Sequence, residues 1–175
     1  RVTLLFQEKS SDRMPEAFQR LGFRKIKLLK HAKMVKITDE TDVFVYQIGV
    51  MDSSLGVKNN GYSLFNLNDC EPNRKDYKTI SKKFGGKIDI LLNQFSLAGN
   101  NGSRKDMPKI GEKARNILNN MIRDHINLNV KTSIPFASFI YFSSITNEYI
   151  NQHHNTIADV KEIFAKHSLN VKALY

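Results

Sequence analysis

The sequence predicts a mixed α/β domain, and three observations carry that expectation. The opening segment alternates strand, helix and strand: apolar Val2 to Phe6, a short amphipathic stretch around Phe18 and Leu21, then Arg24 to Leu29. From there to residue 67 the chain reads as successive antiparallel strands joined by turn residues. From residue 73 onward, helical periods at 73–84, 107–127 and 156–167 alternate with apolar runs at 86–96 and 130–142. At 175 residues and 20.1 kDa the chain is read as a single domain, 1–175, with ample length to bury a core.

Each element has a local reason. Ser10, Ser11 and Asp12 offer N-caps to the first helix, Pro15 sits where a first turn tolerates it, and Gly22 ends it. Met34 to Ile37 and Val43 to Val50 are read as strands flanking the polar corner 38–42. Asn59, Asn60 and Gly61 accept positive φ, so residues 51–58 and Tyr62 to Leu67 form a hairpin. The second strand of that hairpin alternates apolar and polar side chains and stops at Asn68-Asp69-Cys70, before Glu71-Pro72. Gly85-Gly86 stops the helix over 73–84. Ala98, Gly99, Asn100, Asn101 and Gly102 deny regular structure to a long loop carrying Arg104 and Lys105, which could meet an anion.

The helix over 107–127 is the longest, with Ile110, Ala114, Ile117, Leu118, Met121, Ile122 and His125 at helical spacing. His125 is expected to pack at its C-terminal end, where the helix dipole favours a cationic imidazole. Pro135 requires the strand region Val130 to Phe142 to be an edge or to carry a bulge, and Phe136, Phe139, Tyr141 and Phe142 are expected in the core. His153-His154 is discounted as a metal pair because neighbouring helical side chains diverge. Val171 to Tyr175 reads as a last strand, and a chain that starts and stops inside strands is expected to be part of a longer protein.

The formal net charge is +10, which favours anionic partners, although the lysines are spread along the chain without a block of like charge. The one Cys cannot form an internal disulfide. Without a long apolar run or a leader-like start, the expectation is a cytoplasmic protein with no membrane partner.

The first candidate for chemistry is Asp69, a carboxylate at a strand end, where loops commonly carry catalytic and metal groups. The plain alternative is that Asp69 caps a turn. The segments Asp52-Ser-Ser-Leu-Gly-Val-Lys58, Leu64-Phe-Asn-Leu-Asn-Asp-Cys70, Gly86-Lys-Ile-Asp-Ile-Leu-Leu-Asn-Gln-Phe-Ser96 and Ile134 to Asn151 resemble the second half of a metallo-β-lactamase-fold domain. The branch they resemble includes the metallo-β-lactamase-like part of CMP-N-acetylneuraminate hydroxylase.

What the resemblance implies is an αββα sandwich, incomplete in this chain, and a metal-dependent hydrolase acting on a small, anionic or sugar-containing substrate through a metal-activated water. Asp69 matches the family's metal-bridging Asp, Asp52 matches an Asp this branch carries before the hairpin, and Asn147 with Tyr149 falls on a polar cluster where substrate would bind. The implied cofactor is a divalent metal, zinc foremost, with iron or manganese as alternatives. The family's His-x-His-x-Asp-His loop does not occur in the chain, and the family order would place it before Val2. Cys70 is left out as a ligand, since strand alternation turns it away from the side that Asp69 faces. Two readings from other classes stay open: a basic nucleic-acid-binding module, and a metal-free scaffold of the same fold.

Overall fold

The computed structural model describes residues 2–8, 13–50, 52–99, 101–136 and 140–174. The cap candidates Ser10, Ser11 and Asp12, together with Phe139 and Tyr175, lie outside the described residues. In chain order the elements are β1 (Leu4–Gln7), α1 (Arg13–Arg20), β2 (Ile26–Leu29), β3 (Val35–Lys36), β4 (Thr41–Ile48), β5 (Asp52–Asn59) and β6 (Tyr62–Asn68). They continue with α2 (Arg74–Phe84), β7 (Ile88–Gln94), a 3-10 turn (Arg104–Asp106), α3 (Met107–Asn127), β8 (Val130–Phe136), a second 3-10 turn (Glu148–His153) and α4 (Ile157–Lys166).

The strands form a six-stranded sheet in the order β3-β4-β5-β6-β7-β8 and a parallel pair β1-β2. The first four strands of the large sheet run antiparallel, and β6, β7 and β8 run parallel. The β5–β6 hairpin turns on Asn60 at φ 46 and Gly61 at φ 82, the conformation that a two-residue turn matching strand twist demands.

Alternation along β4 assigns the two faces of the sheet. Phe44, Tyr46 and Ile48 pack with Phe65, Leu67 and Leu91 against Tyr77, Ile80 and Phe84 of α2. Val43 and Val45 face the other way, onto Leu29 of β2 and Leu5 of β1. Phe6, the next residue of β1, stacks edge-on against Phe18 of α1 with ring centroids 5.7 Å apart. The layers therefore run from α2 through the six-stranded sheet and the β1–β2 pair to α1. Phe95, Leu118, Met121 and Ile122 join α4 through Val160 and Phe164 in a second core beside the first.

Helix limits follow local chemistry. The Asn73 carboxamide accepts from the amides of Lys75 and Asp76, Asp76 accepts from the Asn73 amide, and Gly85 at φ 77 closes α2. Thr156 and Asp159 repeat the reciprocal cap on α4.

Three expectations need correction. Of the strand region expected to reach Phe142, the described strand covers Val130–Phe136, and Phe142 itself is held outside a strand: its amide donates to Asn151 Oδ1 at 2.9 Å and its carbonyl accepts from Asn151 Nδ2 at 2.8 Å. Phe142 is buried as expected, but Phe136 is 41 % and Tyr141 77 % exposed. The final strand is reduced to a single bridge between Val171 and Ser133. Pro135 does lie on an edge strand, β8, as its missing N–H requires. His125 is buried beside Ser133 Oγ at 2.9 Å and the Phe164 ring, and burial lowers its pKa. That burial disfavours the cationic form which the helix dipole would favour. No helix among the described residues is long and apolar enough to cross a membrane.

Candidate active site

Parallel strands β6, β7 and β8 end at the same sheet edge, the position where open α/β sheets place ligands. Strand β5 runs antiparallel to β6, so its beginning lies at that edge too. With Leu55 opposite Asn66, Asp52 stands three residues before one partner and Asp69 three after the other. The sheet thus brings both predicted carboxylates to one end.

Asp69 is set by its own strand. A register shift at Asn66 and Asn68 breaks the ladder, and Asn68 enters the left-handed region at φ 56. There the Asn68 amide donates to Asn66 Oδ1 at 3.1 Å, and its carboxamide donates to Asp69 Oδ1 at 2.8 Å. Cys70 turns inward and is 5 % exposed; burial, reinforced by the charges of Asp52 and Asp69, pushes its thiol up to about 12. Both carboxylates act on the same sulfur, and the thiol stays protonated and inert at neutral pH.

Beyond this edge opens a cleft of about 830 Å³ whose walls include Asp69, Glu71, Gln94, Lys113, Asn120 and Arg123. Beneath Asp69 a smaller hollow of about 40 Å³ reaches Asn93 and Asp124. Its floor is a buried polar network. The Tyr77 hydroxyl donates to Asp124 Oδ1 at 2.5 Å, Arg123 Nε donates to the Tyr77 oxygen at 3.0 Å, and Asn93 Nδ2 reaches Asp124 Oδ2 at 3.4 Å. Burial pushes the Asp124 carboxyl up to about 6, against the pull of Tyr77, Arg123 and Asn93. Asn93 Oδ1 is buried without a hydrogen-bond partner.

The remaining candidates lie elsewhere. Asn147 caps the second 3-10 turn and is not among the residues lining this cleft. Tyr149 donates to the Gly102 carbonyl at 2.6 Å with the Arg104 guanidinium over its ring. His31 accepts from the Gln47 amide through Nδ1 at 3.0 Å, and the His153 ring sits where a side chain on Gly111 would be. Among the described residues no three His, Cys, Asp or Glu side chains are grouped to hold a metal ion. Asp52 and Asp69 alone fall short of the three or four ligands of a zinc site.

Sequence reasoning missed Asp124, Asn93, Tyr77 and Lys113. The available signal was Asp124 itself, a charge between Met121, Ile122 and His125 on the buried stripe of α3.

No protein-family model matches the sequence, and no curated protein sequence is significantly similar to it. Solved structures do match. CmlA, a diiron β-hydroxylase from Streptomyces venezuelae, superposes with a TM-score of 0.65 at 10 % identity over 99 % of this chain and 38 % of its own. The metallo-β-lactamase-fold protein YhfI from Bacillus subtilis gives 0.54 at 11 % identity over 98 % of this chain and 62 % of its own. The chain has the metallo-β-lactamase fold. An isothiocyanate hydrolase from Delia radicum gut bacteria matches with a TM-score of 0.56 at 12 % identity, over 99 % of this chain and 65 % of its own. The chain therefore spans between about a third and two thirds of the length of these neighbours.

Proposed function

We propose that this chain supplies one wall of the active site of a metal-dependent hydrolase of the metallo-β-lactamase superfamily. The observation that carries the reading is the position of Asp69, at the carboxyl end of a parallel strand, oriented by Asn68 and opening on a cleft, in this fold. In this reading Asp69 is a metal ligand and Asp52 a second one from the adjacent strand. No third His, Cys, Asp or Glu groups with them among the described residues. The ion would be zinc, with iron or manganese as alternatives, and Asn147 would serve substrate from the neighbouring segment. The resemblance to the CMP-N-acetylneuraminate hydroxylase branch, most specific at Leu64 to Cys70, is the support for reading the substrate as small and anionic or sugar-containing.

The deciding experiment measures metal content in the natural full-length protein, purified without added metal, beside its Asp69→Ala form. Near-stoichiometric zinc, iron or manganese that falls on substitution is the expected result. Metal retained after the substitution, or none in either protein, sinks the assignment of Asp69.

A further inference from the structure

The walls of the cleft are chemically unequal along its length. α3 presents Lys113, Asn116, Asn120 and Arg123 at steps of three and four residues, a single helix face. Asn120 borders both the cleft and the hollow beneath Asp69, so that end belongs to Asp69. The cation there, Arg123, is already engaged with the Tyr77 hydroxyl and stands 4.0 Å from the Asp124 carboxylate.

Lys113 closes the opposite end. Its ammonium donates to Asn101 Oδ1 at 2.8 Å, and the Asn101 carboxamide in turn donates to the carbonyls of Ala98 and Gly99 at 3.2 and 2.9 Å. The lysine is thereby tied to the loop that forms the cleft wall instead of sweeping through solvent. No carboxylate pairs with it among the described residues, where the ion pairs are Arg104 with Glu148, Arg123 with Asp124 and Lys166 with Glu162. An ammonium has three donors, and among the described residues one is used. Leu97, Ala98 and Ile117 supply apolar surface between the two ends.

We infer that Lys113 is a binding site for an anionic terminus, carboxylate or phosphate, of a small elongated substrate. The seven residues from Lys113 to Asn120 separate that terminus from the Asp69 end by about 10 Å, at 1.5 Å per helical residue. The assignment of the reacting end rests on the metal-site reading of Asp69; the anion site at Lys113 does not. A competing cationic hollow lies on α2, where Arg74, Lys78 and Lys82 line a groove of about 430 Å³. None of those three side chains is fixed by a hydrogen bond among the described residues, so that groove offers charge without a positioned donor.

The test titrates the isotopically labelled chain with inorganic phosphate and, separately, with acetate, following amide shifts by NMR. Saturable shifts confined to residues 97–99, 101 and 113–117 are expected. Lys113→Met should weaken them by about tenfold or more, the loss of a charge-assisted donor, whereas Lys113→Arg should retain them. Response to acetate alone identifies a carboxylate terminus, and response to phosphate alone identifies a phosphate. Well-dispersed Lys113→Met spectra guard against a folding defect, and if that variant unfolds, the Lys113→Arg titration with the wild-type map decides. Shifts centred on Arg74 to Lys82, shifts unchanged in Lys113→Met, or none with either anion overturn the inference. Asp69→Ala should leave the anion shifts intact, so loss of metal in that variant and loss of anion in Lys113→Met report on separate claims.

Discussion

Replacing Asp124 with Asn should remove a specific pH dependence of stability. In the folded chain burial holds the Asp124 carboxyl at about 6, against an ordinary value of 3.8. The folded state therefore keeps a proton that the unfolded chain gives up. The stabilisation this provides is complete below the unfolded pKa and is lost as pH rises through about 6, amounting to about 3 kcal/mol at 1.36 kcal/mol per pH unit. Asn is isosteric, accepts the Tyr77 hydroxyl as the carboxylate does, and carries no charge to desolvate. Its amino group also finds an acceptor if the Asn93 carboxamide rotates, because Asn93 Oδ1 is buried and unpartnered. Urea denaturation from about pH 4 to about pH 7, followed by far-UV circular dichroism because the chain has no Trp, gives the comparison. The difference in unfolding free energy between the two proteins should move by about 2.4 kcal/mol in favour of Asn across that range. His125, whose pKa burial lowers, contributes with the opposite sign but is present in both proteins and cancels. Parallel pH profiles for the wild type and Asp124→Asn would refute the account of a desolvated, proton-holding carboxyl.

Two substitutions probe the packing. Gly56→Ala would put a Cβ 2.1 Å from Phe44 Cε1, so it should cost about 1–3 kcal/mol by overpacking, with Phe44→Leu in the same chain restoring part of it; urea midpoints decide. Ser133→Ala leaves the buried His125 Nδ1 without its partner at 2.9 Å and should cost about 1–3 kcal/mol in the same assay, an unchanged midpoint counting against a structural role for the pair.

The parts of the fold legible in the sequence are those fixed by short-range chemistry. The Asn60-Gly61 turn, the stop at Gly85 and the period of α3 each depend on residues within a few positions of one another, and the structure has them where the sequence places them. The end of β8 was not legible. Phe142, expected in that strand, instead has its backbone held by Asn151 from nine residues away, a contact that no local propensity encodes. Phe136 is exposed although it sits in edge strand β8, and Phe142 is buried although it lies outside any strand, so burial here follows tertiary packing rather than strand membership.

The candidate site divides in the same way. Asp69 could be singled out because its strand, its turn and its Asn68 support are contiguous, and the register of one hairpin suffices to bring Asp52 to the same edge. Asp124 belongs to a network whose members lie 31 and 47 residues away, on β7 and α2. From the sequence, a carboxylate beside apolar α3 positions reads as a boundary of the helix's polar face. Only the packing of α3 across the sheet edge reveals that it enters the floor of the cleft. Lys113 shows the same limit from the other side: one lysine among many on a chain of net charge +10 carries no signal, and becomes distinct once Asn101 fixes it in the cleft wall with no carboxylate paired to it among the described residues. A basic composition in this protein thus says less about partners than the position of a single tethered ammonium, which fixes where along the cleft a negative charge is stabilised.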